Sequence, residues 1–175
     1  MNLWKDLDIG KNPPEEIFAV IEIPKRCQNK YEYDHEKGVF ILDRVLYPPM
    51  FYPTNYAFVP KTWSKDEDPL DIMVISDEPF VQGSVILVRP VCLLRMIDTG
   101  EVDNKILSVP VKDPRYKDIN SKSDVNQHLL EEIAYFFKRY KELEGKTVEI
   151  IGWNDKEKAI DEINEAIENF KLKFA

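Results

Sequence analysis

The feature that most limits the fold is a change of period along the chain. Short runs rich in apolar and β-branched residues recur, five of them before residue 112, IFAVIEIP (17–24), VFILDRV (39–45), DIMVIS (71–76), SVILVRPVCLLRM (84–96) and KILSVPV (105–111), and a sixth, TVEIIGW (147–153), near the end. Their composition and length read as strands. Turn formers separate them, DHEKG (34–38), YPPMFYPTN (47–55), DEPFVQG (77–83) and DTGEVDN (98–104), and favour antiparallel connections over helical crossovers. From residue 123 the period lengthens. In SDVNQHLLEEIAYFFKRYKELEG (123–145), Leu129, Leu130, Ile133, Phe136, Phe137 and Tyr140 follow a helical repeat that stops at Gly145. A second helix is expected from Asn154, with Glu157 completing a capping box and Ile160, Ile163, Ile167 and Phe170 on its apolar stripe. The expected architecture is mainly β (α+β): a small closed barrel or sandwich with two C-terminal helices packed against it.

A chain of 175 residues fits one domain, 1–175, and no repeat, linker or boundary interrupts it. Its net charge of -8 disfavours nucleic acid, whose binders present a basic field. A small, highly charged anion is still accessible if metals or a local cluster of Lys and Arg reverse the sign at the site. Cys27 and Cys92 lie too far from further ligands to suggest a zinc site and read as free thiols. The N-terminal MNLWKDLDIGKNPPEE has no apolar signal core, and no apolar run nears the ~20 residues that span a bilayer. The expectation is a cytoplasmic protein with no membrane partner.

Several polar residues sit where strands should be buried. Glu22 interrupts the apolar run AVIEIP, where a carboxylate is seldom found without a partner. In NKYEYD (29–34), alternation puts Lys30 and Glu32 on one face and Tyr31 and Tyr33 on the other, a surface ion pair or one wall of a site. Arg44 follows FILD, and FYPTNYAFVP (51–60) places Tyr52 and Tyr56 in an aromatic loop, as core anchors or as phosphate donors. The densest acidic stretch is SKDEDPLDIMVIS (64–76). In extended chain Asp66 and Asp68 point the same way, and a bend at Pro69 can bring Asp71 round. Carboxylates ~4 Å apart repel by roughly 4 kcal/mol at an effective dielectric near 20, so convergence requires hard cations; otherwise the stretch is a solvated acidic turn. It is not an EF-hand, because residues 64–77 contain no glycine. Asp98 and Asp103 flank a turn, with Lys105 on the strand face of Asp103, and Tyr140 and Lys141 close the first helix.

In this order, IEIP with Glu22, KYE, DR with Arg44, FYPTNY, DEDPLD, the Asp98 to Lys105 segment and FFKRYK resemble the soluble family I inorganic pyrophosphatases of the compact prokaryotic type. The resemblance implies an OB-like five-stranded antiparallel barrel with flanking helices. It also implies Mg²⁺-dependent hydrolysis of pyrophosphate to two orthophosphates, in a homohexamer. By the same resemblance Asp66, Asp71 and Asp103 hold the metals that activate water, Asp98 with Asp103 holds a metal arriving with substrate, and Asp68 is the general base. Lys30, Arg44, Tyr56, Lys105, Tyr140 and Lys141 would grip phosphoryl oxygens. Glu32 would join the metal set through the water network that Glu22 and Tyr52 support. Thr99 departs from the pattern, standing where some members carry glutamate.

Charge gives an independent test. Seven of these carboxylates against four Lys and Arg leave the site three charges negative, and pyrophosphate adds about three to four more. About three divalent cations would neutralise the assembly, and the resemblance implies three to four Mg²⁺. The competing readings are a hydrolase of longer polyphosphates or nucleoside triphosphates, an oligonucleotide-binding barrel, and a protein that binds metal only structurally.

Overall fold

The computed structural model describes residues 1–174. In chain order its elements are β1 (Ile17–Ile23), β2 (Asn29–Asp34), β3 (Val39–Val45), β4 (Asn55–Phe58), β5 (Asp71–Val74), β6 (Val85–Asp98), β7 (Glu101–Val102), β8 (Lys105–Pro110), α1 (Gln127–Arg139), β9 (Val148–Asn154) and α2 (Lys156–Phe174). β1 pairs with β4, β4 with β5, β5 with β8 and β8 with β6, and β6 returns to β1, so five strands close a ring. Strand directions cannot alternate all the way round a ring of odd number. The one parallel pair is β5 with β8, Ile72 beside Ile106 and Val74 beside Ser108; the other four are antiparallel, as expected from the turns.

β6 can serve three neighbours besides β7, its hairpin partner at Ile97 and Asp98, because it is 14 residues long and irregular. It pairs with β1 near Val85, with β8 through its middle and with β9 from Leu93 to Asp98. The β8 register shifts between Pro90 and Cys92, where proline lacks the N–H that a regular ladder needs.

Alternation along the strands divides the core in two. Ile72, Val74 and Ile106 pack with Ala159, Ile163 and Ala166 of α2, whereas Met73, Leu107 and Val109 pack with Leu130, Ile133, Phe136 and Phe137 of α1. Strands buried on both faces need apolar side chains at every position, which is why DIMVIS and KILSVPV read as unbroken apolar runs. Trp4, Tyr33, Phe58 and Trp63 form a third cluster against Phe170. β2 and β3 make a separate hairpin, its second strand largely exposed.

The first helix is shorter than its sequence signal. Residues 122–124 form a 3₁₀ turn, and the Asn126 side chain accepts a hydrogen bond from His128 N–H (2.9 Å), starting α1 at Gln127. Beyond Tyr140 a second 3₁₀ turn, Glu142–Glu144, ends at Gly145 with φ 72°. Asn154 does not begin the last helix: it is the final residue of β9, opposite Leu93, and α2 starts at Lys156. Tyr56 lies on β4 rather than in a loop, opposite Met73. Among the described residues no helix is long and apolar enough to cross a membrane. Cys27 and Cys92 are free.

Candidate active site

The barrel ends of β1, β4, β5, β6 and β8, the β2 strand and the end of α1 enclose a cavity of about 230 Å³. Twelve of the fourteen residues singled out in the sequence line it: Glu22, Lys30, Glu32, Tyr56, Asp66, Asp68, Asp71, Asp98, Asp103, Lys105, Tyr140 and Lys141. Tyr52 and Arg44 do not. Tyr52 is buried behind the wall, its ring edge-on to Tyr56 at 5.5 Å and 4.7 Å from Phe136. Arg44 sits on β3 and is held by acids of its own. A larger, mainly apolar hollow of about 490 Å³ beside Phe18, Phe80 and Leu87 lies apart from these groups.

Asp66, Asp71 and Asp103 converge, one oxygen of each lying within 4.8 Å of the others. The sequence reading had the carboxylate segment extended; it is a turn. Ser64 N–H donates to the Asp68 carbonyl (2.8 Å) and Glu67 N–H to the Ser64 carbonyl (3.2 Å), with Glu67 in the left-handed region at φ 62°. Reversal at Glu67, followed by Pro69, aims Asp66 and Asp68 back towards Asp71 at the start of β5. Glu67 itself points away, 3.7 Å from Lys173.

Lys105 is the cation beneath this triad. It is 1% exposed, and its Nζ donates to Asp71 (2.8 Å), Asp103 (3.1 Å) and the Tyr56 hydroxyl (2.7 Å). Burial alone would favour neutral lysine, but Asp103 and Asp71 outweigh it and hold the ammonium above its usual range. A second pairing lies across the cavity. Asp98 Oδ2 accepts from Lys141 Nζ (2.5 Å) and the Tyr140 hydroxyl (3.0 Å), while Oδ1 accepts from Thr99 (2.8 Å). Burial raises Asp98, yet the bonds from Lys141 and Thr99 leave it below the ordinary carboxylate range. Thr99, noted as a departure in the sequence, is thus a direct partner of Asp98. Thr99 and Gly100 both have positive φ, 51° and 85°, and make the tight β6–β7 hairpin that folds Asp103 back over β6.

The remaining acids are pushed the other way. Burial, then Asp71 and Asp103, raises Asp66 to about 7; burial, then Asp71 and Glu32, raises Asp68 to about 6. Glu22, accepting from Tyr33 N–H at 2.7 Å, is raised to about 8 by burial and Asp71. Asp103 is also raised, chiefly by burial and against the pull of Lys105. The pocket is therefore short of positive charge. Asp66 Oδ1 is buried and has no hydrogen-bond partner, an expensive arrangement for a carboxylate oxygen. An oxygen-only donor set with an orphaned oxygen fits a hard divalent cation, and it does not suit a soft one.

Sequence reasoning missed Asp43 and Glu144. Lys30 Nζ donates to Glu32 and to Asp43 (3.2 Å), and Arg44 bonds Asp43 through Nη1 and Glu144 through Nε (3.0 Å). Asp43 was readable in outline, lying beside Arg44 on a strand. Glu144 was not, being 100 residues away along the chain.

A closed β-barrel whose carboxylates meet around a buried lysine has the donor set of a protein that could bind metal together with a small anion. The family model for inorganic pyrophosphatase matches residues 19–171. The inorganic pyrophosphatase of Haloferax volcanii is 47% identical over 176 residues, covering 100% of this chain and 99% of its own. That of Halalkalibacterium halodurans is 51% identical over 158 residues, covering 90% and 97%. The solved inorganic pyrophosphatase of Thermus thermophilus superposes with a TM-score of 0.94 at 41% identity, covering 98% of this chain and 99% of that one. The chain belongs to the inorganic pyrophosphatase family.

Proposed function

We propose that this chain hydrolyses inorganic pyrophosphate to two orthophosphates with Mg²⁺, by in-line transfer of a phosphoryl group to water. The observation that carries this reading is the Asp66, Asp71 and Asp103 cluster with its orphaned oxygen, facing cations that suit phosphate. Bound Mg²⁺ supplies a Lewis acid that acidifies water and neutralises phosphoryl oxygens. Asp66, Asp71 and Asp103 would hold the metals on the water side, Asp98 and Asp103 a metal on the substrate side, and Glu32 would support the water network. About three Mg²⁺ fit the charge balance, and the family resemblance implies three to four.

Asp68 takes the proton from the attacking water. It faces the cavity without belonging to the triad, so its carboxylate is left to accept a proton rather than to hold metal; in the metal-free site burial and Asp71 raise it to about 6. Lys30, Tyr56, Lys105, Tyr140 and Lys141 bind phosphoryl oxygens, joined by Arg44 from its place on β3 next to Lys30, outside the cavity lining; Glu22 and Tyr52 hold the surrounding groups in register. The cavity is below the ~300 Å³ at which drug-sized pockets begin, which favours a small diphosphate over a nucleotide. The whole chain acts as one domain, and it works as a cytoplasmic homo-oligomer, a hexamer by family resemblance.

The test compares phosphate release from pyrophosphate, tripolyphosphate and ATP by purified protein, with Mg²⁺ and with chelator. Release from pyrophosphate, fastest of the three and only with Mg²⁺, is expected. If no phosphate is released from pyrophosphate with Mg²⁺ present, the reading falls.

A further inference from the structure

Arg44 reaches the site indirectly. It lies near the end of β3 opposite Lys30 in the hairpin register, and its guanidinium is shared between two carboxylates. Nε donates to Glu144 Oε2 at 3.0 Å and Nη1 to Asp43, while Nη2 is buried with no partner. A buried guanidinium nitrogen left unpaired is costly, and its natural partner is an oxyanion.

Glu144 is the acid that fixes this geometry. Its side chain is 9% exposed, against 35% for Asp43, which Lys30 also engages. It ends the short 3₁₀ turn that begins just after Lys141, closed by Gly145 N–H donating to the Glu142 carbonyl (3.0 Å). One turn at the end of α1 therefore carries Lys141 to Asp98 and Glu144 to Arg44. By charge alone Glu144 opposes anion binding, so any gain it brings must come from geometry.

We propose that Glu144 is a positioning residue that clamps the Arg44 side chain beside Lys30, which lines the cavity, so that a short swing of the guanidinium brings its unpaired Nη2 to a phosphoryl oxygen of the substrate. This rests on the reading of Arg44 as a phosphate-binding residue. Orientation and electrostatics then predict opposite signs. Losing the clamp weakens binding of a diphosphate, whereas losing only a negative charge strengthens it.

The experiment measures binding of methylenediphosphonate, which resists hydrolysis, to the Mg²⁺-loaded protein by calorimetry. The variants are Glu144→Ala, Glu144→Asp, Arg44→Ala and the double variant Glu144→Ala with Arg44→Ala, with folding checked by thermal unfolding. Arg44→Ala should weaken binding. Glu144→Ala should weaken it about tenfold, the effect of one charge-assisted hydrogen bond. Glu144→Asp keeps the charge but withdraws the acceptor, and should weaken binding several-fold (about threefold or more); it also serves if the alanine variant fails to fold. In the Arg44→Ala background, Glu144→Ala should change nothing further. Affinity unchanged or improved in the Glu144 variants, or an equal loss when Arg44 is already absent, overturns the inference and leaves Arg44 as a phosphate ligand. Wild-type affinity in Arg44→Ala removes the reading of Arg44 itself, and the inference with it.

Discussion

Replacing Lys105 with methionine tests how the acidic pocket is held together. Lys105 Nζ contacts Asp71 at 2.8 Å and Asp103 at 3.1 Å in a position 1% exposed. Methionine keeps most of its length and apolar volume, so packing changes little. The electrostatic change is large. With one oxygen of each triad acid within 4.8 Å of the others, two charged members repel by roughly 3.5 kcal/mol at an effective dielectric near 20. Lys105 is the cation that offsets this, and removing one partner of a buried ion pair costs about 3–5 kcal/mol. For a chain of this size that is a fall in Tm of roughly 10 °C. The assay is urea unfolding followed by tryptophan fluorescence, in chelator and in saturating Mg²⁺. Divalent cations among the same oxygens replace the missing charge, so the deficit should fall by about half or more with metal bound. A deficit of equal size with and without Mg²⁺, or none in chelator, would refute the reasoning.

Asp68→Asn should keep the fold and the metal affinity while lowering kcat by about 10²–10⁴, read by steady-state kinetics beside a Mg²⁺ titration; near-normal kcat removes Asp68 from the base role. Glu22, Asp66 and Asp68, raised to about 8, 7 and 6, favour the folded state in their protonated forms. That stabilisation is complete below about pH 4 and is lost as pH rises through about 6 to 8. The metal-free Tm should therefore fall across that window while the gain from Mg²⁺ grows, and a metal-free Tm that climbs instead contradicts the assignment. Asn126→Ala removes the cap of α1 and should cost about 1 kcal/mol, a Tm loss of roughly 2–4 °C by calorimetry, with activity retained.

The strands were legible where burial on one or both faces left an apolar run, as in β1, β5 and β8. β4 was hidden because its four residues follow a proline-rich stretch and carry Asn55 and Tyr56, which resemble loop composition. The parallel β5–β8 pair follows from closing an odd ring, a long-range condition no local window contains. For the site, residue identity was informative and backbone shape was not. DEDPLD announced a carboxylate cluster, but the left-handed Glu67 that turns it inward is invisible in composition. The roles of Asp43 and Glu144, and the bond that Thr99 makes to Asp98, were not read because each acts on another site residue. Their signal is a distance, and it appears only after folding.

The central claim is that Asp66, Asp71 and Asp103 bind divalent metal together. Its most direct measurement is an anomalous difference map from crystals soaked in Mn²⁺, a scatterer with the oxygen preference of Mg²⁺. The account predicts a peak among the three carboxylates, about 2.0–2.3 Å from at least one oxygen of each. Strong Mn²⁺ peaks elsewhere with none between these aspartates would contradict it.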